Sequence, residues 1–265
     1  KDIVVVNFMS GHCGNVLSLV FSSIALYAGG VVFNDVFDAD LDAVERPERA
    51  IPSGLVPKKE AIYFGTILML IGITLAFKTT VLSGLISIAL TVAILTYDGY
   101  FKQFGFAGPL NMGICRGLNL LMGMSILGSL THWYISLVPV VYIFAITLIS
   151  RGEVHGDNKK HIVWAGILYA IVILSITLIV MQQKDNLLVL LPFILMFGFL
   201  IYSPLIKAYK VNSPKNIKKA VMGGVLSLIV MNACWVAGFS NWYLALAVLL
   251  LLPLSMLLSK LFAVT

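Results

Sequence analysis

Residues 15–37 read NVLSLVFSSIALYAGGVVFNDVF, and the first nineteen of them carry no charged side chain before the stretch reaches Asn34 and Asp35. A helix needs about 20 mostly apolar residues to cross the hydrocarbon core of a bilayer. The run is too long, and alternates too little, to be a strand of a membrane β-barrel. It therefore predicts a membrane-spanning helix that ends in an acidic segment.

The same pattern recurs along the chain. Of its 265 residues, 60% are hydrophobic and 11% are charged, whereas soluble domains carry about 25% charged residues. We expect one membrane-embedded domain over residues 1–265, with an all-α fold: a polytopic transmembrane bundle of about nine to ten helices. The predicted spans are 2–11, 15–37, 58–77, 81–101, 108–130, 134–150, 162–182, 187–206, 217–237 and 241–262.

The basic residues indicate how these spans are oriented. If Lys1 is placed in the cytoplasm, fifteen of the eighteen Lys and Arg residues fall on that side, Lys78 and Lys184 fall outside, and Arg116 lies within a helix. Such asymmetry is typical of membrane proteins, so the net charge of +6 does not indicate a nucleic-acid partner. Both termini are predicted to be cytoplasmic, with loops 38–57, 102–107, 151–161 and 207–216.

Six of the twelve acidic residues lie between positions 35 and 48. At about 100° per residue, Asp35, Asp38 and Asp42 share an arc of roughly 60° on a helix, and Asp40 points away from them. Carboxylate oxygens are ligands for Mg²⁺ or Ca²⁺, and Mg²⁺ commonly bridges a few carboxylates to a substrate phosphate. The alternative is an ordinary solvated helix end.

A second polar segment, RGEVHGDNKK, covers residues 151–160. Glu153 and Asp157 are four residues apart and share a face if the segment is helical. An ordinary charged loop would look similar. Because both acidic segments fall on the same predicted side of the membrane, together they could hold two metal ions around a diphosphate.

The stretch NDVFDADLDAVERPERAIPSG at 34–54 resembles the first signature of the UbiA superfamily of intramembrane prenyltransferases. Tyr97 and Lys102 follow the fourth span as in the family, and CRGLNLLMG at 115–123 is a further family-like stretch. Glu153 to Asp157 stands at the second aspartate motif. The resemblance covers residues 1 to about 206, and its nearest likeness is to the EboC-like branch.

Three positions depart from the family pattern. Glu153 stands where most members have Asp, Ala50 replaces a usual Pro, and His161 stands where Gly is common. The first change keeps the negative charge and lengthens the side chain. These departures bear more on the identity of the acceptor than on the chemistry at the diphosphate.

The resemblance implies a bundle around a central cavity that is open to membrane lipid. It implies Mg²⁺-dependent transfer of a prenyl group from a prenyl diphosphate to a lipophilic, often aromatic, acceptor. Tyr97 or Tyr142 could then stabilise an allylic cation. The implied catalytic and metal-binding residues are Asp35, Asp38, Asp42, Glu153 and Asp157, with Asn34, Arg49, Lys102, Arg116, Asn119 and Lys159 at the diphosphate.

Two other classes of function fit parts of the same pattern. A non-catalytic protein could bind or transport a lipid or a small hydrophobic molecule, with the carboxylates as an ion site. A structural subunit of a membrane complex is disfavoured, because scaffolding does not require concentrated acids. Metal-dependent release of diphosphate distinguishes the enzyme from both.

Overall fold

The computed structural model describes residues 13–153, 156, 158–182 and 187–261, and every regular element in them is helical. The predicted span 2–11 lies outside the described residues. Three short 3₁₀ segments accompany the α-helices, at Phe101–Gln103, Ser125–Leu127 and Trp133–Ser136. The α-helices are α1 Cys13–Glu45, α2 Lys58–Thr79, α3 Val81–Gly99, α4 Ala107–Met124, α5 Leu137–Ser150, α6 Lys159–Met181, α7 Leu187–Lys210, α8 Pro214–Phe239, α9 Trp242–Leu249 and α10 Leu251–Leu261.

Within this part of the chain, eight helical segments are long and apolar enough to cross a membrane, which confirms the all-α, multi-pass prediction. The predicted last span, 241–262, is interrupted at Leu250 and forms the short helices α9 and α10. Pro253 accounts for the break, because it has no N–H to donate to the carbonyl of Leu249.

Helix α1 extends well beyond its predicted end at residue 37. Its 33 residues correspond to a length of about 50 Å, more than the roughly 30 Å hydrocarbon core. The helix ends at Glu45 because Pro47 disfavours the helical conformation of Arg46. The acidic residues therefore lie on the last turns of a continuous helix rather than in a loop.

The chain divides between Val140 and Val141 into two compact units. The first contains α1 to α4 and the start of α5, and the second contains the remainder of α5 and α6 to α10. The expectation of one domain over the whole chain stays a prediction.

Close packing of α1 against α2 forms much of the core of the first unit. A Cβ atom built on Gly72 would lie 2.7 Å from Cγ of Leu26, whose side chain is fully buried. The Ser22 hydroxyl donates a 2.6 Å hydrogen bond to the Gly72 carbonyl. Small residues thus let the two backbones approach, as is common between membrane helices.

In the second unit, aromatic rings from three helices form the core. Tyr142 and Phe197 are completely buried, with ring centroids 5.4 Å apart, and Tyr142 also packs against Tyr169. The Tyr142 hydroxyl donates a 2.7 Å hydrogen bond to the carbonyl of Gly224. Because no part of its ring is exposed, we assign Tyr142 to packing rather than to stabilising a substrate cation.

Candidate diphosphate and metal site

The three acids predicted to share one side of α1 do so, and we call Asp35, Asp38 and Asp42 the acidic face. The side chains of Asp38 and Asp42 are 22% and 7% exposed. That of Asp40 is 96% exposed and pairs with Lys58 at 3.8 Å, in agreement with the prediction that it points elsewhere. The helix therefore separates partly buried carboxylates from a solvated one.

Arg49 returns to the acidic face from the turns that follow α1. Its Nη1 atom lies 2.8 Å from Oδ2 of Asp42 and 3.2 Å from Oδ1 of Asp35. Backbone hydrogen bonds from Arg49 N to Arg46 O and from Ser53 N to Arg49 O fold these turns back under the helix. One guanidinium thus pairs with two carboxylates that stand two helical turns apart.

A second cation reaches the acidic face from the turn between α3 and α4. The ammonium group of Lys102 contacts the carboxylate of Asp38 as an ion pair. Two of the three cations that sequence reasoning assigned to a diphosphate in this unit, Arg49 and Lys102, therefore lie against the acids assigned to the metal.

The fourth carboxylate in this region, Asp98, was not singled out by the sequence reasoning. It lies at the end of α3, is 5% exposed, and accepts a 3.0 Å hydrogen bond from Nδ2 of Asn34. It also interacts electrostatically with Lys102 and Asp38. The available signal was a lone acid in an apolar span, four residues before Lys102.

Arg116 and Asn119 lie in α4, away from these ion pairs. Oδ1 of Asn119 accepts a 2.7 Å hydrogen bond from the Ser23 hydroxyl of α1. Ser23 precedes Asn34 by eleven residues, about 16 Å along the helix. Arg116 is half-buried, and within the described residues no acid lies within ion-pair distance of it.

In the second unit, the structure describes Glu153 and Lys159 but not Asp157. Burial raises the pKa of the half-buried Glu153 carboxyl, and the nearby positive charge of Lys218 partly opposes that rise. Lys159 begins α6, with its ammonium 5.9 Å from the centre of the Tyr209 ring. Sequence reasoning missed Lys218, because only the fold brings α8 near residue 153.

Two asparagines fasten the segment around Glu153. The backbone N–H of Asn158 donates to Oδ1 of Asn212, and Nδ2 of Asn212 donates to Oδ1 of Asn158. Nδ2 of Asn158 also donates to the carbonyl of Ile149 at 2.9 Å. The second polar segment is thereby tied both to α5 and to the connection between α7 and α8.

The donor groups of the first unit fit Mg²⁺ chemically. They offer carboxylate oxygens and the Asn34 amide from one face of a rigid helix, and Mg²⁺ prefers such hard oxygen ligands. Among the described residues, no three His, Cys, Asp or Glu side chains are grouped closely enough to hold a metal ion. The carboxylates of the acidic face instead converge on Arg49 and Lys102.

A pocket of about 330 Å³ opens beside Asp35. Val32 and Phe64 give it apolar walls, whereas Asp35 and Glu60 give it negative charge. This end of the first unit therefore presents acidic groups next to apolar surface.

Comparison with known proteins identifies the family to which the chain belongs and the fold that it shares. The sequence profile of the UbiA prenyltransferase family matches residues 8–222, and the chain belongs to that family. A solved structure described as digeranylgeranylglyceryl phosphate synthase in membranes shares the fold, with a TM-score of 0.67 and 19% identity over 84% of each chain.

Relatives with assigned names carry the same enzyme name as that solved structure. Digeranylgeranylglyceryl phosphate synthase of Methanococcoides burtonii is 37% identical over 112 residues, 42% of this chain and 40% of that protein. The Methanosarcina mazei enzyme is 34% identical over 140 residues, 52% of this chain and 47% of the relative. The chain thus spans about half the length of the relatives it matches.

Prenyltransferases of this family are generally metal-dependent. Membership confirms the family resemblance that was drawn from residues 34–54. The finer likeness to the EboC-like branch stays a prediction.

Proposed function

We propose that the protein is an intramembrane prenyltransferase, which transfers a prenyl group from a prenyl diphosphate to a lipophilic acceptor with the help of Mg²⁺. The observation that carries this proposal is the pairing of the acidic face with Arg49 and Lys102. A diphosphate with its metal ions presents both signs of charge and needs both kinds of partner.

The carboxylates and cations have different tasks in this proposal. One Mg²⁺ would be held by Asp35, Asp38 and Asp42 with the help of Asn34. A second would be held by Glu153 and Asp157. The bound ions would neutralise the charge that develops on the leaving diphosphate. Arg49, Lys102 and Lys159 donate hydrogen bonds to its oxygens. Apolar walls such as Phe64 keep water from the prenyl carbon that becomes positive.

Arg116 and Asn119 remain in the proposed substrate-binding set. An arginine inside a membrane span is costly unless an opposite charge meets it. The described residues supply no acid within ion-pair distance of Arg116, so we assign an anionic group of the substrate as its partner. Nδ2 of Asn119 is a further hydrogen-bond donor to that group.

For the acceptor, the relatives' name favours a lipid that carries glyceryl phosphate over an aromatic compound. Such an acceptor is lipophilic, and it would reach the site from the surrounding bilayer. We also propose that the C-terminal end of α1 and the segment with Glu153 that follows α5 face the cytoplasm, as the basic loops predict.

Pyrophosphate release by the purified protein tests the proposal, with Mg²⁺, a panel of prenyl diphosphates and a membrane lipid extract as acceptor source. We expect Mg²⁺-dependent release that disappears in Asp38→Ala and persists in Asp40→Ala, because Asp40 is solvated on the opposite side of the same helix. Normal activity of Asp38→Ala would refute the assigned site.

A different result would change the class of function. If the protein binds prenyl diphosphates tightly and releases no pyrophosphate with any acceptor fraction, a binding or transport role replaces the enzymatic one. Extracts that contain glyceryl phosphate lipids and extracts that contain aromatic acceptors are assayed separately, so that the substrate class is determined in the same experiment.

A further inference from the structure

Asp98 is a buried carboxylate for which the proposed reaction has no task. It sits on α3, one residue before the helix ends, and only 5% of its surface is exposed. Burial of an ionised carboxylate inside a membrane protein is costly unless the carboxylate is paired and hydrogen-bonded. The presence of an acid despite this cost indicates that Asp98 has a task that a hydrophobic residue could not perform.

The hydrogen bond between Asn34 and Asp98 has a defined direction. Nδ2 of Asn34 donates to Oδ1 of Asp98 at 3.0 Å. An ionised carboxylate only accepts hydrogen bonds, whereas an amide has a donor end and an acceptor end. The Asn34 amide has two orientations, which exchange its nitrogen and its oxygen. Asp98 can therefore hold the orientation in which the nitrogen faces Asp98 and the oxygen of Asn34 faces away from it.

One nearby cation offsets part of the negative charge of this arrangement. Lys102 interacts electrostatically with Asp98 and forms an ion pair with Asp38. Asn34 and Asp38 are four residues apart and so lie on the same side of α1. The amide oxygen therefore belongs to the side of the helix that carries the acidic face, and among the described residues it accepts no hydrogen bond.

We propose that Asp98 is a positioning residue: it fixes the Asn34 amide so that its oxygen, rather than its nitrogen, is offered to a divalent cation bound at the acidic face. This inference rests on the proposed function, since it concerns the same cation site. It explains why the position carries an acid instead of an asparagine or glutamine, whose amide could pair with either orientation of Asn34.

Cation binding is measured directly, without turnover. Mn²⁺ is titrated into the purified full chain in detergent with inorganic pyrophosphate, and free Mn²⁺ is followed by electron paramagnetic resonance. Loss of a residue that orients a metal ligand typically weakens metal binding about 10- to 100-fold. We expect a weakening of that size in Asp98→Ala and a smaller one in Asp98→Asn, which is isosteric but no longer enforces one amide orientation.

The matched control is Ser87→Ala. Ser87 is also fully buried on α3, and its hydroxyl donates to the carbonyl of Gly84 in its own helix. We expect unchanged Mn²⁺ binding in this variant. Equal weakening in the Ser87 and Asp98 variants would mean that general disturbance of α3 is responsible, and the proposal would be wrong.

A double-mutant cycle shows whether Asp98 acts through Asn34. If it does, Asn34→Ala combined with Asp98→Ala binds Mn²⁺ no more weakly than Asn34→Ala alone, because the amide to be oriented is already gone. Additive losses would overturn the proposal. Should Asp98→Ala fail to fold, the same cycle is run with Asp98→Asn.

The outcomes also separate this inference from the proposed function. Wild-type protein that binds Mn²⁺ with pyrophosphate but catalyses no transfer would refute the prenyltransferase while the cycle still decides on Asp98. Mg²⁺-dependent transfer together with additive losses would refute only the role of Asp98. Wild-type protein that binds no Mn²⁺ under these conditions would refute both.

Discussion

Nη1 of Arg49 lies 2.8 Å from Oδ2 of Asp42, a carboxylate whose side chain is only 7% exposed. Two proline-flanked turns after α1 are needed to bring the guanidinium back to a residue seven positions earlier in the chain. The same nitrogen reaches Asp35 at 3.2 Å. The contact therefore satisfies a buried acid through one nitrogen, and the proposed reaction assigns the other nitrogens of the guanidinium to the diphosphate.

The first prediction concerns the ion pair between Arg49 and Asp42. Arg49→Gln leaves Asp42 buried without its charged donor, so we expect the free energy of unfolding to fall by about 2 kcal/mol. Thermal unfolding of the detergent-solubilised protein measures it. Arg46→Gln is the control, because Arg46 is exposed and forms no ion pair among the described residues. Equal stability of the two variants would contradict the assigned contact.

The second prediction concerns Lys102, which pairs with Asp38 in the structure. Lys102→Met removes a cation from the proposed diphosphate site, and we expect KM for the prenyl diphosphate to rise at least tenfold, a loss of about 1.4 kcal/mol in binding. Lys58→Met is the matched control, because among the described residues Lys58 pairs only with the solvated Asp40. If both variants raise KM alike, general surface charge rather than Lys102 attracts the substrate.

Local rules were enough to predict the acidic face. The spacing of Asp35, Asp38 and Asp42 follows from helical geometry, and the apolar runs predicted where most helices would lie. The same rules could not find Asp98 or Lys218. Each of these residues interacts with a residue that is distant in sequence, so no spacing pattern within one segment reveals it.

Sequence reasoning was weaker at the ends of the helices. The apolar run predicts a span that ends at residue 37 and a cytoplasmic loop over 38–57, yet α1 continues to Glu45. Once a helix extends beyond the apolar layer, its residues are as polar as those of a loop. Hydropathy therefore does not show where such a helix ends. In the last span, the apolar character of residues 241–262 predicts one continuous helix, although Pro253 within it favours a break.

The third prediction is a pH dependence at Glu153, whose pKa burial raises above its ordinary value. The native state then holds this proton more tightly than the unfolded chain, so stability falls as pH rises from the ordinary pKa of a glutamate through the raised one. Glu153→Gln should lack this decline. In metal-free protein, we expect the variant to gain thermal stability over the wild type as pH increases through this window.

Two results would contradict that expectation. The stability difference between Glu153→Gln and the wild type could be independent of pH, which would mean that the carboxyl titrates alike in both states. It could also shrink as pH rises, which would mean that Lys218 stabilises the ionised carboxylate more than burial destabilises it. Lys218→Met separates the two contributions, because its removal should make the decline of the parent protein steeper.

The fourth prediction tests the packing that holds α1, and with it the acidic face, against α2. A side chain at Gly72 would meet Cγ of Leu26 at 2.7 Å and the Ser22 carbonyl at 3.1 Å. Because the second of these atoms is backbone, the helices must separate, and Gly72→Val should cost roughly 1–3 kcal/mol. A Cβ at Gly123 meets no atom within 4 Å, so Gly123→Val should leave stability nearly unchanged.

A compensating change makes this prediction sharper. Leu26→Ala alone should destabilise the protein by about 2–5 kcal/mol, because it leaves a cavity in a well-packed core. Combined with Gly72→Val, the new methyl groups fill part of that cavity, so the double variant should be more stable than the sum of the two losses predicts. Strict additivity in thermal unfolding would show that Leu26 and Gly72 are not in contact, and the packing of α1 on α2 would have to be revised.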